Sequence, residues 1–555
     1  MIYNVIYDLT HNFHYLVEKY LYYLLGKYRD LPALLLLPCV AVAWHFLATR
    51  IGQFARWLAI LAVILASGIV LMMVWTSGSY LAAPGYFDHV EPSIAAISWW
   101  YRHGHPLYPA WNEDEGLYGL VYGPLLFQIT AAALTLSPTI LMSKIPGFCC
   151  FWLAGMAIMG SLRPLLPSAR LSLLPLAACL IIAGSYWNWA YWDRSDPYLL
   201  LAAALALCSS RRMGRTNAAI AVGLLGGISV NLKVHGALYV LPYAVALLAR
   251  ESSRAAQLRT AVIGITSSLP AIVLPFLDPD VSLSHYIAYI QNASRHGMDE
   301  PLLLANLRFA GVLLTPFLFL AWRRLRGEPQ PDLPMGLAYL VSVLAVCVIG
   351  AKPGAGPHHL LPFLPAFAFF LVRAAQLVRI PGKEEAEVGG LAAYFLAISV
   401  SYMPSFAISL DEIYSRGHGD EDRAELHEIR QLYTAHPAAI MGVGGDVSYP
   451  RTVYRVVGIF AGAPIGIDMV AWMDLQFGGV SDEAVERLLI GCHAPLWIIP
   501  KGGAPFTLIS LYRRMPLFSD RFRELFLKEY VPIHDGTFYS VWACRDYRPN
   551  RLDQR

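Results

Sequence analysis

The spacing of its apolar runs constrains this chain more than any other feature. Thirteen mostly apolar stretches lie near residues 31–48, 57–76, 119–136, 141–161, 171–188, 197–209, 217–232, 236–249, 260–277, 303–321, 333–350, 358–376 and 388–405. A helix that crosses a bilayer needs about 20 such residues. Inside hydrocarbon every backbone polar group must be satisfied within its own segment, so the runs read as helices. The expected fold class is therefore a polytopic α-helical membrane protein with about 12–13 spans. Only 15% of the 555 residues are charged, where soluble domains carry about 25%. The net charge of +3, with no basic and aromatic cluster, gives no ground for a nucleic-acid partner.

The two ends differ from this pattern. The first thirty residues, around "NFHYLVEKYLYYLLGKY", are aromatic and mixed in charge, without the basic and apolar blocks of a signal peptide. They read as an interfacial helix over 1–30. Residues 31–405 form the membrane domain, with a first outer loop at 77–118. Residues 406–555 are polar and rich in turns, as in a small soluble α/β domain. There "AAIMGVGG" and "APLWIIP" read as buried strands, "EAVERLL" as a helix capped at Ser481, and Asp535-Gly536 as a hairpin turn. The "GVGGD" stretch lacks the third glycine of a dinucleotide fingerprint. Cys492 and Cys544 lie in this tail, either as a pair in an oxidising compartment or as two buried thiols.

Lys and Arg in short loops mark the cytoplasmic side. Arg50–Arg56, Arg163–Arg170, Arg211–Arg215, Arg250–Arg259, Arg323–Arg326 and Arg373–Lys383 are such loops. This count puts 77–118, 278–302, 351–357 and the tail on the outer face. It requires 119–136 to dip in and return, in keeping with "YGP" at its start and "SP" at its end.

Chemistry-bearing residues gather on that outer face. "GYFDHVEPSIAAISWWYRHGHP" carries Asp88 and Glu91 ahead of a helix over 92–103, which would lie along the membrane surface with Trp99 and Trp100 as interfacial anchors. Asp88 is a candidate base or acceptor-positioning group, and also a candidate ligand for a divalent cation; the plain alternative is a helix cap. "YWDRSDPY" adds Arg194 and Asp196 at the lip of the next span, where Asp196 also fits a cap. Lys233 and His235 in "NLKVHG", and Lys352, His358 and His359 in "GAKPGAGPHHLLP", place cations at depths that suit an anionic headgroup such as a phosphate. The competing view of these cations is snorkelling at helix ends. The loop "DPDVSLSHYIAYIQNASRHGMDE" reads as a second interfacial helix or lid.

In order, these motifs are an acid after an early span, "YGPL", "DRSDPYLLLAAALAL", "GGISVNLKVHG", "KPGAGPHHLLPFLPA" and a soluble tail. The series resembles the C-type (GT-C) membrane glycosyltransferases, and within them the protein mannosyltransferase and lipid A aminoarabinose transferase branch. The resemblance covers most of 57–376. It implies a sugar donor on a polyprenyl phosphate, transfer at the outer face, and a glycan, lipid or protein acceptor. It implies Asp88 as base or acceptor-positioning carboxylate, and Asp196, with Glu91, as further carboxylates. Lys352, His358 and His359 would lie at the lipid phosphate. Lys233, His235, Arg194, Arg102 and Tyr122 of "YGPL" complete the candidate substrate contacts. The aminoarabinose branch carries Glu-Lys-Pro ahead of "YGP", where this chain has "GLYGLVYGP". The donor phosphate must then meet Lys233, Arg102 or Lys352. His89 also stands where that branch has an acid.

A transporter or flippase is the rival reading. It predicts ionisable residues in the membrane midplane and often internal repeats. The two readings separate on whether Asp88, Asp196 and Lys352 converge on one outward cavity.

Overall fold

The computed structural model describes residues 29–47, 52–111, 116–186, 191–328, 330–376, 384–417, 419–512 and 514–547. The expected N-terminal interfacial helix lies outside these residues, except for its last two positions. Each of the thirteen apolar runs contains a helix. Six of those helices are long and apolar enough to cross a membrane alone: Phe54–Ala82, Ile140–Leu165, Arg254–Leu277, Glu300–Leu325, Pro357–Gln376 and Glu387–Tyr414. Five more are apolar but shorter, such as Ala237–Ala249 and Leu333–Ile349. The two remaining runs form 18-residue helices, Ser195–Arg212 and Arg215–Leu232. Leu61, Ile64 and Leu71 along the first long helix are more than half exposed. Such a belt is stable facing lipid and not water. The chain is an integral membrane protein.

The 119–136 segment forms a helix only over Pro124–Leu134. Eleven residues rise roughly 16 Å, about half a hydrocarbon core, which is the short element that the charge count requires. The helix Glu384–Gly417 runs on without a break past residue 405, about 51 Å in all, and leads from the bundle into the tail.

The tail holds a four-stranded sheet of order β1-β2-β4-β3 (Ile440–Met441, Leu496–Pro500, Tyr539–Cys544 and Tyr530–Asp535). β1 and β2 are parallel, the other pairs antiparallel, and β3 and β4 form the hairpin expected at Asp535-Gly536. Cys492 and Cys544 are joined in a disulfide. The "EAVERLL" segment is helical only over Glu483–Glu486, a single turn. Too few residues follow its cap in helical geometry to extend it.

Helix Val90–Arg102 departs from the expected surface position. Val90 through Ser98 are buried, and Trp99 sets its ring edge against Phe460 of the tail, 5.9 Å between centroids. An apolar helix face looks the same in sequence whether lipid or protein covers it; here helix Pro124–Leu134 and the tail cover it together. Arg455 donates to Ser93 Oγ at 2.5 Å and to Asp468 Oδ2 at 2.9 Å, and Ser93 donates to Asp468 Oδ1 at 3.0 Å. A bridge between Leu117 and Ile467 adds a backbone seam. The 278–302 segment contributes helix Leu283–Ser294, whose Asn292 donates to the Asp474 carbonyl at 3.2 Å.

Candidate active site

Between bundle and tail lies a cavity of about 170 Å³. Asp88, Tyr122, Arg194, Lys233, His235, Lys352 and His359 all line it. Chain topology makes this convergence possible. Asp88 and His89 precede the Val90–Arg102 helix, Arg194 precedes the Ser195–Arg212 helix, and Lys233 and His235 occupy the turn after the Arg215–Leu232 helix. Lys352 sits in the loop before Pro357. Gly123 draws Tyr122 against that turn: its N–H donates to Leu232 O at 3.1 Å, and a Cβ there would lie 2.0 Å from Asn231 O. Only glycine admits so close an approach.

The charges alternate along one row. Arg194 Nη1 donates to Asp88 Oδ2, and Arg194 Nε lies 3.7 Å from Asp196 Oδ2. Lys233 Nζ donates to Asp196 Oδ1 at 3.3 Å. Arg194 Nη2 reaches the Tyr122 hydroxyl at 3.2 Å. His89 Nδ1 lies 3.1 Å from Asp88 Oδ1. All four charged members of the row are buried. Burial alone would raise the Asp88 carboxyl. Arg194, then His89 and the Val90 amide, outweigh burial and hold it below the usual carboxylate range. Burial lowers the Lys233 ammonium despite Asp196 beside it. Burial, reinforced by Lys233 and Lys352, pushes His235 down to about 3, so it is a neutral imidazole.

The remaining candidates stand outside the cavity lining. Asp196 is buried behind Lys233 and Arg194 and acts through them. Glu91 is a brace: its carboxylate accepts from Tyr80 OH and from the amides of Phe87 at 3.1 Å, Asp88 at 3.2 Å and Asp193 at 3.2 Å. From the second position of its helix Glu91 reaches back to amides ahead of the cap and so fixes the backbone carrying Asp88. Burial raises Glu91, against the opposing pull of Lys144. His358 is buried behind His359, ring centroids 4.4 Å apart. Arg102 is exposed in the last turn of its helix, away from the cavity, because its position in the helical repeat does not share the buried face.

Sequence reading missed several parts. Lys144 Nζ donates to the carbonyls of Tyr80 at 2.9 Å, Ala83 at 3.2 Å and Gly85 at 2.6 Å, tying down the loop that leads to Asp88. Its signal was a lone lysine in an apolar span, which the principle that intramembrane charge is functional or paired would have flagged. Asp474, Tyr512 and His296 also face the cavity. Only an acid among apolar neighbours, "WMDLQF", pointed to the first of these.

A divalent cation does not suit this donor set. Asp88 is paired with Arg194 and Asp196 with Lys233, cations that compete for the oxygens a metal would need, and among the described residues no three His, Cys, Asp or Glu side chains cluster as metal ligands.

Bundle, seam and charged cavity together define a polytopic membrane protein with its polar site under a soluble cap. The same fold occurs in ArnT from Cupriavidus metallidurans in the apo state, with a TM-score of 0.52 at 13% identity over 87% of this chain and 97% of that one. The Archaeoglobus fulgidus oligosaccharyltransferase, tethered to an acceptor peptide, aligns with a TM-score of 0.44 at 12% identity over 87% of this chain and 75% of that one. No protein-family model and no curated protein matches the chain.

Proposed function

We propose that this chain is a GT-C-type glycosyltransferase that moves a sugar from a polyprenyl-phosphate donor to an acceptor at the outer face of the plasma membrane. The observation that carries this reading is one cavity holding a restrained carboxylate, Asp88, opposite cations from three separate segments, Arg194, Lys233 and Lys352. A transferase of this kind must stabilise a phosphate as it leaves, and fixed cations in a low-dielectric site do this without reorganising. Lys233 and Lys352 take that role, and the neutral imidazoles of His235 and His359 offer N–H groups to phosphate oxygens. Asp88, held ionised, orients Arg194 and accepts a hydrogen bond from the acceptor. The fold shared with ArnT, a lipid A aminoarabinose transferase, supports the same chemistry. In this reading residues 31–405 are the catalytic membrane domain. Residues 406–555, with their disulfide, are an extracytoplasmic domain that closes the site and meets the acceptor.

The alternative transporter reading is weaker, since the ionisable residues meet at the seam with the tail and not amid the long apolar helices. The test is Asp88→Asn in membranes supplied with lipid-linked sugars. Transfer is expected to fall by roughly 100-fold or more, as for loss of one oriented charged group in a reaction centre. Transfer at the wild-type rate would overturn the role of Asp88.

A further inference from the structure

The cavity contains a second lining carboxylate that comes from the tail. Asp474 lies on helix Met469–Phe477, half-buried, and lines the cavity together with Lys352 and Tyr512. Its backbone is held from both sides. Asn292 and His296, from the Leu283–Ser294 helix and the residues after it, donate to the Asp474 carbonyl at 3.2 and 2.9 Å. At the start of the same helix, Asp468 caps the amides of Val470 and Ala471 at 3.0 Å each and is clamped by Arg455. Lys352 lines the same cavity from a loop in which Gly354 has a φ of +82° and a Cβ would lie 2.6 Å from the Tyr512 hydroxyl. Three segments, one from the bundle and two from the tail, thus bring a lysine, an aspartate and a tyrosine to one cavity.

Asp88 is poorly arranged to take a proton. One oxygen is held by the permanent cation of Arg194, and the other lies 3.1 Å from the His89 imidazole. We propose that Asp474 is the base of the transfer: it removes the proton from the acceptor hydroxyl or amine while Asp88 only orients. This rests on the glycosyl-transfer reading above. In the step, the acceptor heteroatom forms a bond to the anomeric carbon, and the bond from that carbon to the phosphate oxygen breaks. The electron pair leaves on polyprenyl phosphate, beside Lys233 and Lys352, and the acceptor's proton passes to the Asp474 carboxylate. Proton affinity agrees with the geometry. Burial raises Asp474 to about 6, with Lys352 and Tyr512 opposing and Asp468 reinforcing. His296 and Tyr449 are the other titratable groups near it. A base titrating near neutrality combines availability with driving force, and a carboxylate held below its normal range does not.

The test uses the full chain in native membranes charged with undecaprenyl-phosphate-linked sugars, reading release of undecaprenyl phosphate, and purified protein for its binding. Asp474→Asn is expected to slow release by about 100-fold or more, with undecaprenyl phosphate binding by native mass spectrometry within about threefold of wild type. Asp474→Glu restores part of the rate. Tyr512→Phe removes a hydrogen bond to the carboxylate, so the acid limb of kcat/KM moves to higher pH. A merely structural role would not move that limb, and this variant decides the matter even if Asp474→Asn fails to fold. Release by Asp474→Asn at near the wild-type rate, or an unmoved limb in Tyr512→Phe, overturns Asp474 as base and leaves the transferase reading intact. A wild-type chain that binds undecaprenyl phosphate but releases none from any donor overturns the transferase reading and the base with it.

Discussion

Replacing Arg455 by methionine should loosen the wall that carries Asp474, and by a calculable amount. Arg455 and Asp468 are both buried, 2.9 Å apart. At an effective dielectric constant of 20, that separation is worth about 6 kcal/mol of attraction, most of which offsets the desolvation of the two charges. Arg455→Met strands the Asp468 carboxylate in the seam, and breaking a buried pair in this way costs about 3–5 kcal/mol. Local opening of helix Met469–Phe477 should therefore become roughly 100- to 4,000-fold more frequent, at 1.4 kcal/mol per decade. Hydrogen exchange followed by mass spectrometry reads this directly, because the Val470 and Ala471 amides are bonded to Asp468 itself. The informative comparison is the double variant Arg455→Met with Asp468→Asn. Asparagine caps a helix about as well as aspartate, so the second change removes the stranded charge and keeps the cap. The double variant should recover much of the lost protection. Exchange in the double variant as fast as in Arg455→Met alone would refute the account, since the loss would then come from packing and not from an uncompensated charge.

Three further outcomes are expected. Lys144→Met leaves the Tyr80, Ala83 and Gly85 carbonyls without their donor, each charge-assisted bond being worth about 1.5–3 kcal/mol. The melting temperature should fall, and transfer should fall with it as the Asp88 loop loosens; an unchanged rate would separate that loop from the site. The Cys492–Cys544 disulfide spans 52 residues, which chain entropy values at about 4 kcal/mol in the unfolded state. Cys492→Ser should accordingly lower the denaturant midpoint of the tail, measured by Trp497 fluorescence, and wild-type protein should take up maleimide at these positions only after reduction. Burial pushes Glu425 in helix Asp420–Ala435 up to about 7, against the hydrogen bond from Tyr539 and the charge of Arg451. The folded state then holds this proton more tightly than the unfolded one, so the tail loses stability as pH rises from about 4.5 to 7. Glu425→Gln should flatten that slope in pH-dependent unfolding.

Legibility in the sequence followed the physical range of each signal. Apolar run length is local, so every run expected to be helical contains a helix, and the Asp535-Gly536 hairpin lies where its turn chemistry places it. The cations of "NLKVHG" and "GAKPGAGPHH" and the carboxylate of "GYFDH" stood out because charge beside lipid is rare. The structure gathers Lys233, His235, Lys352, His359 and Asp88 around one cavity. What sequence could not give was the partner of each group. Nothing local marks Glu91 as a brace for four donors while Asp88, three residues away, faces the cavity. Nothing near Ser93 announces Arg455, 362 residues on. The buried face of Val90–Arg102 has the amphipathic pattern of a surface helix, and only its packing against helix Pro124–Leu134 and the docked tail distinguishes the two. Asp474 shows in sequence only as an acid among apolar neighbours, and its meaning depends on the charge of Lys352 across the seam.

That dependence couples donor and base. Lys352 both lowers the proton affinity of Asp474 and lines the space proposed for the donor phosphate. When a phosphate occupies the cavity, Lys352 is shared between two anions, and the phosphate adds a like charge near the carboxylate. Both changes favour the protonated form of Asp474 and raise its pKa. The base is therefore strengthened when the donor is in place and the acceptor must lose its proton. In the free protein the charge of Lys352 keeps the carboxylate ionised more readily, and it is the weaker base. The consequence is measurable, because kcat/KM reports the pKa of the free protein and kcat that of the bound complex. The acid limb of kcat should lie at higher pH than that of kcat/KM. Lys352→Gln should narrow the gap, since the carboxylate then has no lysine for the phosphate to draw away. Coincident limbs in the wild-type profile would show that donor and base titrate independently, and the coupling would fail even if Asp474 carries the proton.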